Sequence, residues 1–155
     1  MPTKKEVRLD IRAPRAEDRE RWESLFRAYM HFYGRDEPPA MYDRAWAEFE
    51  RDERMHALLA SLDGEVVGIA HYLVHANTSS PDVCYLQDLF TAEEARGCGV
   101  ATALIEAVAD RARARGCARV YWMTQETNTR ARRVYDRVAE YRGFIRYQMT
   151  LEHRE

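Results

Sequence analysis

Arg96, Gly97, Cys98, Gly99, Val100, Ala101 and Thr102 place a cation, two glycines and a small residue directly before an apolar-periodic run. Two explanations fit that spacing. A loop closing onto a helix needs Gly where φ is positive, and Ala forms helix well. Alternatively, a phosphate-bearing group has to reach the backbone, because a helix N-terminus offers unpaired N–H groups and the positive end of the helix dipole. A phosphate loop ending in Gly-Lys-Ser/Thr is excluded, since Gly99-Val100-Ala101 stands there. A dinucleotide fingerprint, with three glycines early in a βαβ unit, is absent as well. Cys84, Cys98 and Cys117 form neither an even framework nor a CxxC pair and read as reduced thiols of a cytoplasmic protein. The five histidines show no HxH or HExxH spacing, so no metal site is expected.

The elements that must position these residues follow from periodicity. Val7, Leu9 and Ile11 alternate with charged neighbours and predict a strand ended by Pro14. Trp22, Leu25, Phe26, Tyr29 and Phe32 recur at steps of three and four and predict a helix over 16–32. Met41, Tyr42, Ala45, Trp46 and Phe49 predict a second helix. Asp63-Gly64 is the two-residue turn of a hairpin between "HALLASL" and "EVVGIAHYLV". "VCYLQDLFT", 83–91, is a β-rich run ahead of the glycine motif, and the helix after that motif stops at Gly116. "ARVYWMTQ" predicts a strand, "NTRARRVYDRVAEY" a helix, and "GFIRYQMTLEH" a last strand. The order β-α-α-β-β-β-α-β-α-β implies an α/β fold, a mixed sheet with helices on its faces.

A chain of 155 residues without linker or repeat suits one domain. Its 24 basic and 26 acidic residues leave a net charge of −2, which does not support a broad nucleic-acid footprint. The longest apolar runs fall far short of the roughly 20 residues of a membrane span, and "MPTKKEVRLD" lacks the apolar core of a signal peptide.

Arg96-x-x-Gly99-x-Ala101 between a strand and a helix resembles the pyrophosphate-binding pattern of the GNAT N-acetyltransferases. "YLQDLF" is similar to the fourth strand of that family, and "WMTQETNTRARRVY" to its second cofactor motif. The likeness runs over essentially the whole chain, 1–155. It looks closest to the branch of polyamine, histone-tail and D-amino-acid acetyltransferases. It implies one GNAT domain with a mostly antiparallel central sheet and a cofactor cleft between the fourth and fifth strands, opened by a bulge in the fourth. The implied activity is transfer of acetyl from acetyl-CoA to a primary amine of a small molecule, polyamine or amino-acid-like, by direct attack in a ternary complex. A protein or peptide amine, or a non-catalytic acyl-CoA-binding module, stands as the alternative. The implied assembly is a homodimer that shares a strand.

Residue by residue, the resemblance places the amides from Cys98 to Thr102 on the pyrophosphate, with Gly97 and Gly99 giving the approach and Arg96 near the charged end. Leu89 would offer its amide to the thioester oxygen, and Phe90 and Thr91 would continue the cofactor-facing edge. Asn128 would bond the cofactor arm, or cap a helix, or both. Tyr135 matches the position of the proton donor to the leaving thiolate, or packs on a helix face with Val134 and Val138. Where polyamine-acetylating relatives tend to carry two adjacent acids, this chain has Gln87-Asp88. Gln87 cannot take a proton and at most orients a water or the amine. Asp88 is the remaining carboxylate, yet strand neighbours face opposite sides, so it need not reach the same pocket. His71, His75 and Glu126 are the substitute bases. For the acceptor, Asp36 and Glu37 could hold an ammonium group, or simply be solvated. Tyr29 and Tyr33, with Phe32, could line a path for an alkyl chain, or belong to the core.

Overall fold

The computed structural model describes residues 6–152. The chain divides into two compact units, Met1–Met123 and Thr124–Glu155. The first holds β1 (Leu9–Arg12), α1 (Arg19–Phe32), α2 (Pro39–Arg51), β2 (His56–Leu62), β3 (Glu65–His75), β4 (Val83–Thr91), α3 (Val100–Ala114) and β5 (Val120–Tyr121). Short 3-10 turns at Ala16–Asp18 and Glu93–Ala95 lead into α1 and toward α3. The second unit holds α4 (Thr129–Val138).

The five strands form one sheet in the order β1-β2-β3-β4-β5. The first four are successive antiparallel neighbours, and β5 joins β4 in parallel. β2, β3 and β4 are joined by short connections, which make successive strands antiparallel, while β1 reaches β2 through α1 and α2. Asp63 (φ 50°) and Gly64 (φ 86°) both take the left-handed region, which suits the two-residue turn between β2 and β3. Reaching a parallel β5 requires a crossover, and α3 supplies it.

The spacing of apolar residues decides how the helices face the sheet. Trp22, Leu25, Phe26 and Met30 are the buried residues of α1 that give it one apolar stripe, and Tyr42, Trp46 and Phe49 do the same for α2. Their rings interlock, Trp22 lying 5.1 Å from Trp46 and 5.7 Å from Phe49. Pro39 opens α2, where its missing N–H costs nothing, and Asp52 ends it in the left-handed region. On the opposite sheet face, Val100, Leu104, Ile105, Val108 and Ala112 bury the inner side of α3.

Two expectations are corrected. The fifth strand, expected over "ARVYWMTQ", contracts to Val120–Tyr121, because β5 pairs with β4 at Cys84 and Tyr85 and no further. The last strand, expected in "GFIRYQMTLEH", does not form among the described residues. Ile145, Tyr147, Met149 and Leu151 keep the alternation of a strand, but a strand exists only where a neighbour takes up its backbone groups, and this segment has no ladder partner.

Candidate functional site

β4 carries the local irregularity on which the site depends. Tyr72 of β3 pairs with Leu86, yet the adjacent His71 pairs with Asp88, so Gln87 is an extra residue in β4, a bulge. In a regular ladder Gln87 would stand opposite His71 and Asp88 would turn to the α3 face. The bulge expels Gln87 to the surface and puts Asp88 on the face covered by α1. The two-face objection to Asp88 is thereby removed, and Gln87 loses the inward position.

Beyond the bulge, hydrogen-bonding direction alternates along the strand. Ala92 N–H donates to Val67 O (2.7 Å), so the N–H groups of Phe90 and Asp88 turn toward β3, and those of Leu89 and Thr91 turn to the other edge. At that edge β5 has stopped pairing after Tyr85 and Tyr121. Leu89 and Thr91 therefore present backbone donors where the two strands have parted. Phe90 is placed differently from expectation, its ring lying 5.9 Å from that of Tyr29 on the α1 face. Thr91 Oγ1 is buried with no hydrogen-bond partner among the described residues.

The glycine motif forms the start of α3. Gly97 (φ 80°) and Gly99 (φ 78°) are both left-handed, and a Cβ at either would meet nothing within 4 Å, so open space surrounds them. The backbone's positive φ demands Gly, and the emptiness leaves the loop approachable. Gly99 caps α3, and the first intrahelical bond is Ala103 N–H to Gly99 O. The N–H groups of Val100, Ala101 and Thr102 consequently have no acceptor within the helix. Arg96 and Cys98 are exposed in this loop, the thiol nearest to the carbonyl of Arg96 at 4.0 Å.

Asp88 is the most elaborately held side chain of the site. His71 Nδ1 lies 2.9 Å from Asp88 Oδ2, and Trp22 Nε1–H donates to His71 Nε2 at 2.9 Å. Tyr29 stands beside this carboxylate. Its phenol is pushed well above the usual tyrosine range, first by burial and then by the Asp88 charge and by Tyr33, whose ring lies 5.1 Å away. Tyr29, Tyr33, Asp88 and Phe90 thus gather on one face. Asp36 and Glu37 do not join them by any bond: Asp36 is exposed, and Glu37 is ion-paired with Arg35 at 2.7 Å. His75 is occupied too, donating from Nδ1 to Ala76 O and accepting from the Tyr121 hydroxyl at 2.7 Å.

In the second unit, Asn128 caps α4, its Oδ1 accepting from Ala131 N–H at 3.3 Å. Tyr135 lies in the last turns of α4 and is half-buried. The Glu126 carbonyl accepts from Arg132, which ties the approach to α4. Trp22 was legible in the sequence as an apolar helix residue only. The indole donor could have been suspected from Ile69 and His71 sharing a strand face, which sends an imidazole into the core where it must find partners.

The description of the Acetyltransferase (GNAT) family matches residues 22–141. The chain is 35% identical over 136 residues to D-amino-acid N-acetyltransferase HPA3 of Saccharomyces cerevisiae, which covers 85% of this chain and 84% of the yeast protein. Among solved structures, it matches aminoglycoside N-acetyltransferase AAC(6')-Iy in complex with CoA at a TM-score of 0.77 and 22% identity, over 100% of this chain and 98% of that one. A transcriptional regulator from Bacillus halodurans C-125 matches at a TM-score of 0.82 and 21% identity, over 93% of this chain and 100% of the other. Likeness at such identities establishes the fold, while the family match and the yeast relative establish membership. The chain belongs to the GNAT acetyltransferase family and is an acetyl-CoA-dependent acyltransferase.

Proposed function

We propose that the protein transfers the acetyl group of acetyl-CoA to the primary amine of a small, amino-acid-like or polyamine substrate, within a ternary complex. The observation that carries this function is the parting of β4 from β5 with the Asp88 carboxylate on the adjoining face. The residues fit an acyl-CoA in three respects. Leu89 and Thr91 offer backbone donors to an extended arm, Thr91 Oγ1 lacks a partner among the described residues, and the open Gly97–Gly99 loop leads to amides of α3 that have no acceptor within the helix. A pyrophosphate there would neutralise the positive end of the helix.

The groups of the first unit have tasks that their placement suits. Leu89 N–H donates to the thioester oxygen as negative charge builds on it. Asp88 accepts a proton from the substrate ammonium, which frees the nitrogen lone pair for attack on the thioester carbon, and Tyr29, Tyr33 and Phe90 flank the amine with aromatic surface that favours a cationic or apolar chain. Tyr135 donates a proton to the departing thiolate, a role supported by the family motif. The small-amine acceptor is supported by the relative of yeast, a D-amino-acid N-acetyltransferase, and by the aminoglycoside N-acetyltransferase of like fold.

The same proposal takes the protein as a cytoplasmic homodimer. Three free cysteines suit a reducing compartment, and the unpaired alternating segment at 144–151 suits pairing with a second copy. Light scattering that gives a single-chain mass across micromolar concentrations overturns the dimer. The activity itself is tested by thiol release from acetyl-CoA over a panel of diamines, D- and L-amino acids and amine-bearing peptides. Release with the small amines is expected. Release with peptides alone, or tight acetyl-CoA binding without release, contradicts the proposal.

A further inference from the structure

We infer that Trp22 and His71 are positioning residues that hold Asp88 as an oriented carboxylate against a neutral imidazole. The inference rests on the proposal that Asp88 accepts the amine's proton, and adds the device that keeps it able to do so.

The chain of bonds fixes the proton positions. An indole N–H can only donate, so His71 Nε2, 2.9 Å away, must carry a lone pair. The imidazole proton then sits on Nδ1 and is donated to Asp88 Oδ2 at 2.9 Å. Protonating Nε2 would set two donors head to head in a site where His71 is 1% exposed. The groups facing His71 are Trp22 and Phe26 of α1, Phe49 of α2 and Asp88 of β4. Of these, Asp88 alone titrates, and Tyr29 of α1 stands beyond it at the carboxylate.

The arrangement makes a chemical difference. A carboxylate paired with imidazolium is stabilised as the anion by a full opposite charge and gives up part of its appetite for a proton. A neutral N–H donor fixes the same oxygen in place with a weaker claim on its charge. The core around Trp22 would pack with an apolar residue at position 71, since Phe26 and Phe49 already bracket it at 4.8 and 4.5 Å. Placing an imidazole there instead demands two buried partners, and both are present. The Gln87 bulge completes the device, because without it Gln87 rather than Asp88 would meet Nδ1.

Trp22→Phe tests the inference, since it keeps an aromatic ring and removes the donor. Nε2 then becomes free to take a proton, and Asp88 faces a cation in the pH range where an imidazole titrates. The expected result is an extra ionisation in the acid limb of the kcat/KM profile, with turnover about 10-fold below wild type near pH 6 and approaching it above about pH 8. Tyr42→Phe removes a hydroxyl from the same aromatic cluster without touching the chain of bonds, and its profile should overlay the wild type. Should Trp22→Phe not fold, nitrogen-detected NMR of the wild type reads the tautomer directly. His71 should carry its single proton on Nδ1, with Nε2 unprotonated. A proton on Nε2 of the wild type, or a Trp22→Phe profile that overlays the wild type, overturns the inference. Asp88→Asn separates it from the proposal beneath. Full turnover in that variant refutes Asp88 as proton acceptor, whereas lost turnover beside an unchanged Trp22→Phe profile refutes only the device.

Discussion

Gly68 of β3 and Val100 of α3 approach so closely that a Cβ on Gly68 would stand 2.7 Å from Val100 Cγ1, with Leu104 Cδ1 at 3.1 Å and Ala60 Cβ at 3.3 Å. The glycine is required here by contact and not by backbone angle, because its φ lies outside the left-handed region. The contact seats the first turn of α3 on the sheet, and that turn carries the unpaired amides. Gly68→Ala is expected to cost about 1–3 kcal/mol by overpacking, or about 2–4 °C of Tm per kcal/mol at this size. It should also weaken acetyl-CoA binding, since α3 must lift. Thermal melts and calorimetry check both, and a variant with unchanged Tm would show that α3 yields freely.

Gly99→Val should weaken acetyl-CoA binding by about 10-fold or more, because a β-branched residue forced into the left-handed region costs about 1–3 kcal/mol and its side chain fills the open approach. Arg96→Ala, which removes an exposed cation, should have the smaller effect. Calorimetric titration of both variants decides, and equal affinities in folded Gly99→Val and wild type would remove the loop from cofactor binding.

Much of this architecture is legible from periodicity. A period-two run marks β1, the Asp63-Gly64 turn marks β2 and β3, a β-rich run marks β4, and the steps of three and four mark α1 and α2. Partner-dependent features are not legible. Ile145, Tyr147, Met149 and Leu151 alternate as a strand does, but alternation carries no information about which edge will accept it. Val120 and Tyr121 begin a longer β-rich run that loses its neighbour where β4 diverges. The same limit applies to the site. Strict alternation sets Gln87 and Asp88 on opposite faces and cannot say which one faces inward. A single inserted residue reverses the choice, and only the ladder with β3 reveals it.

Asp18 ties the start of α1 to β1. Its carboxylate accepts from Arg12 Nη1 at 2.7 Å, from Arg12 Nη2 at 3.0 Å and from Arg15 N–H at 2.7 Å. The Arg12 hydrogen bonds hold its carboxyl below the usual carboxylate range, against the opposing effect of burial. A carboxyl depressed in the folded state adds stability that is full above its unfolded pKa, about 3.9, and fades as pH falls through the lower folded value. Asp18→Asn is therefore expected to cost about 2 kcal/mol at pH 7, and the gap from wild type should narrow on acidification below about pH 4. Melts at both pH values test this, and a gap independent of pH would show that the charge contributes nothing.

Asp88→Asn tests the central claim most directly, because it keeps the shape of the side chain and its acceptance from His71 Nδ1 while removing the capacity to take a proton. With a small primary amine at saturation, thiol release should fall on the order of 100-fold, the usual contribution of a positioned general base. The Kd for acetyl-CoA and the Tm should stay close to wild type. Turnover within twofold of wild type, or a collapse of Tm that accounts for the loss, would contradict the assignment of Asp88 as the proton acceptor.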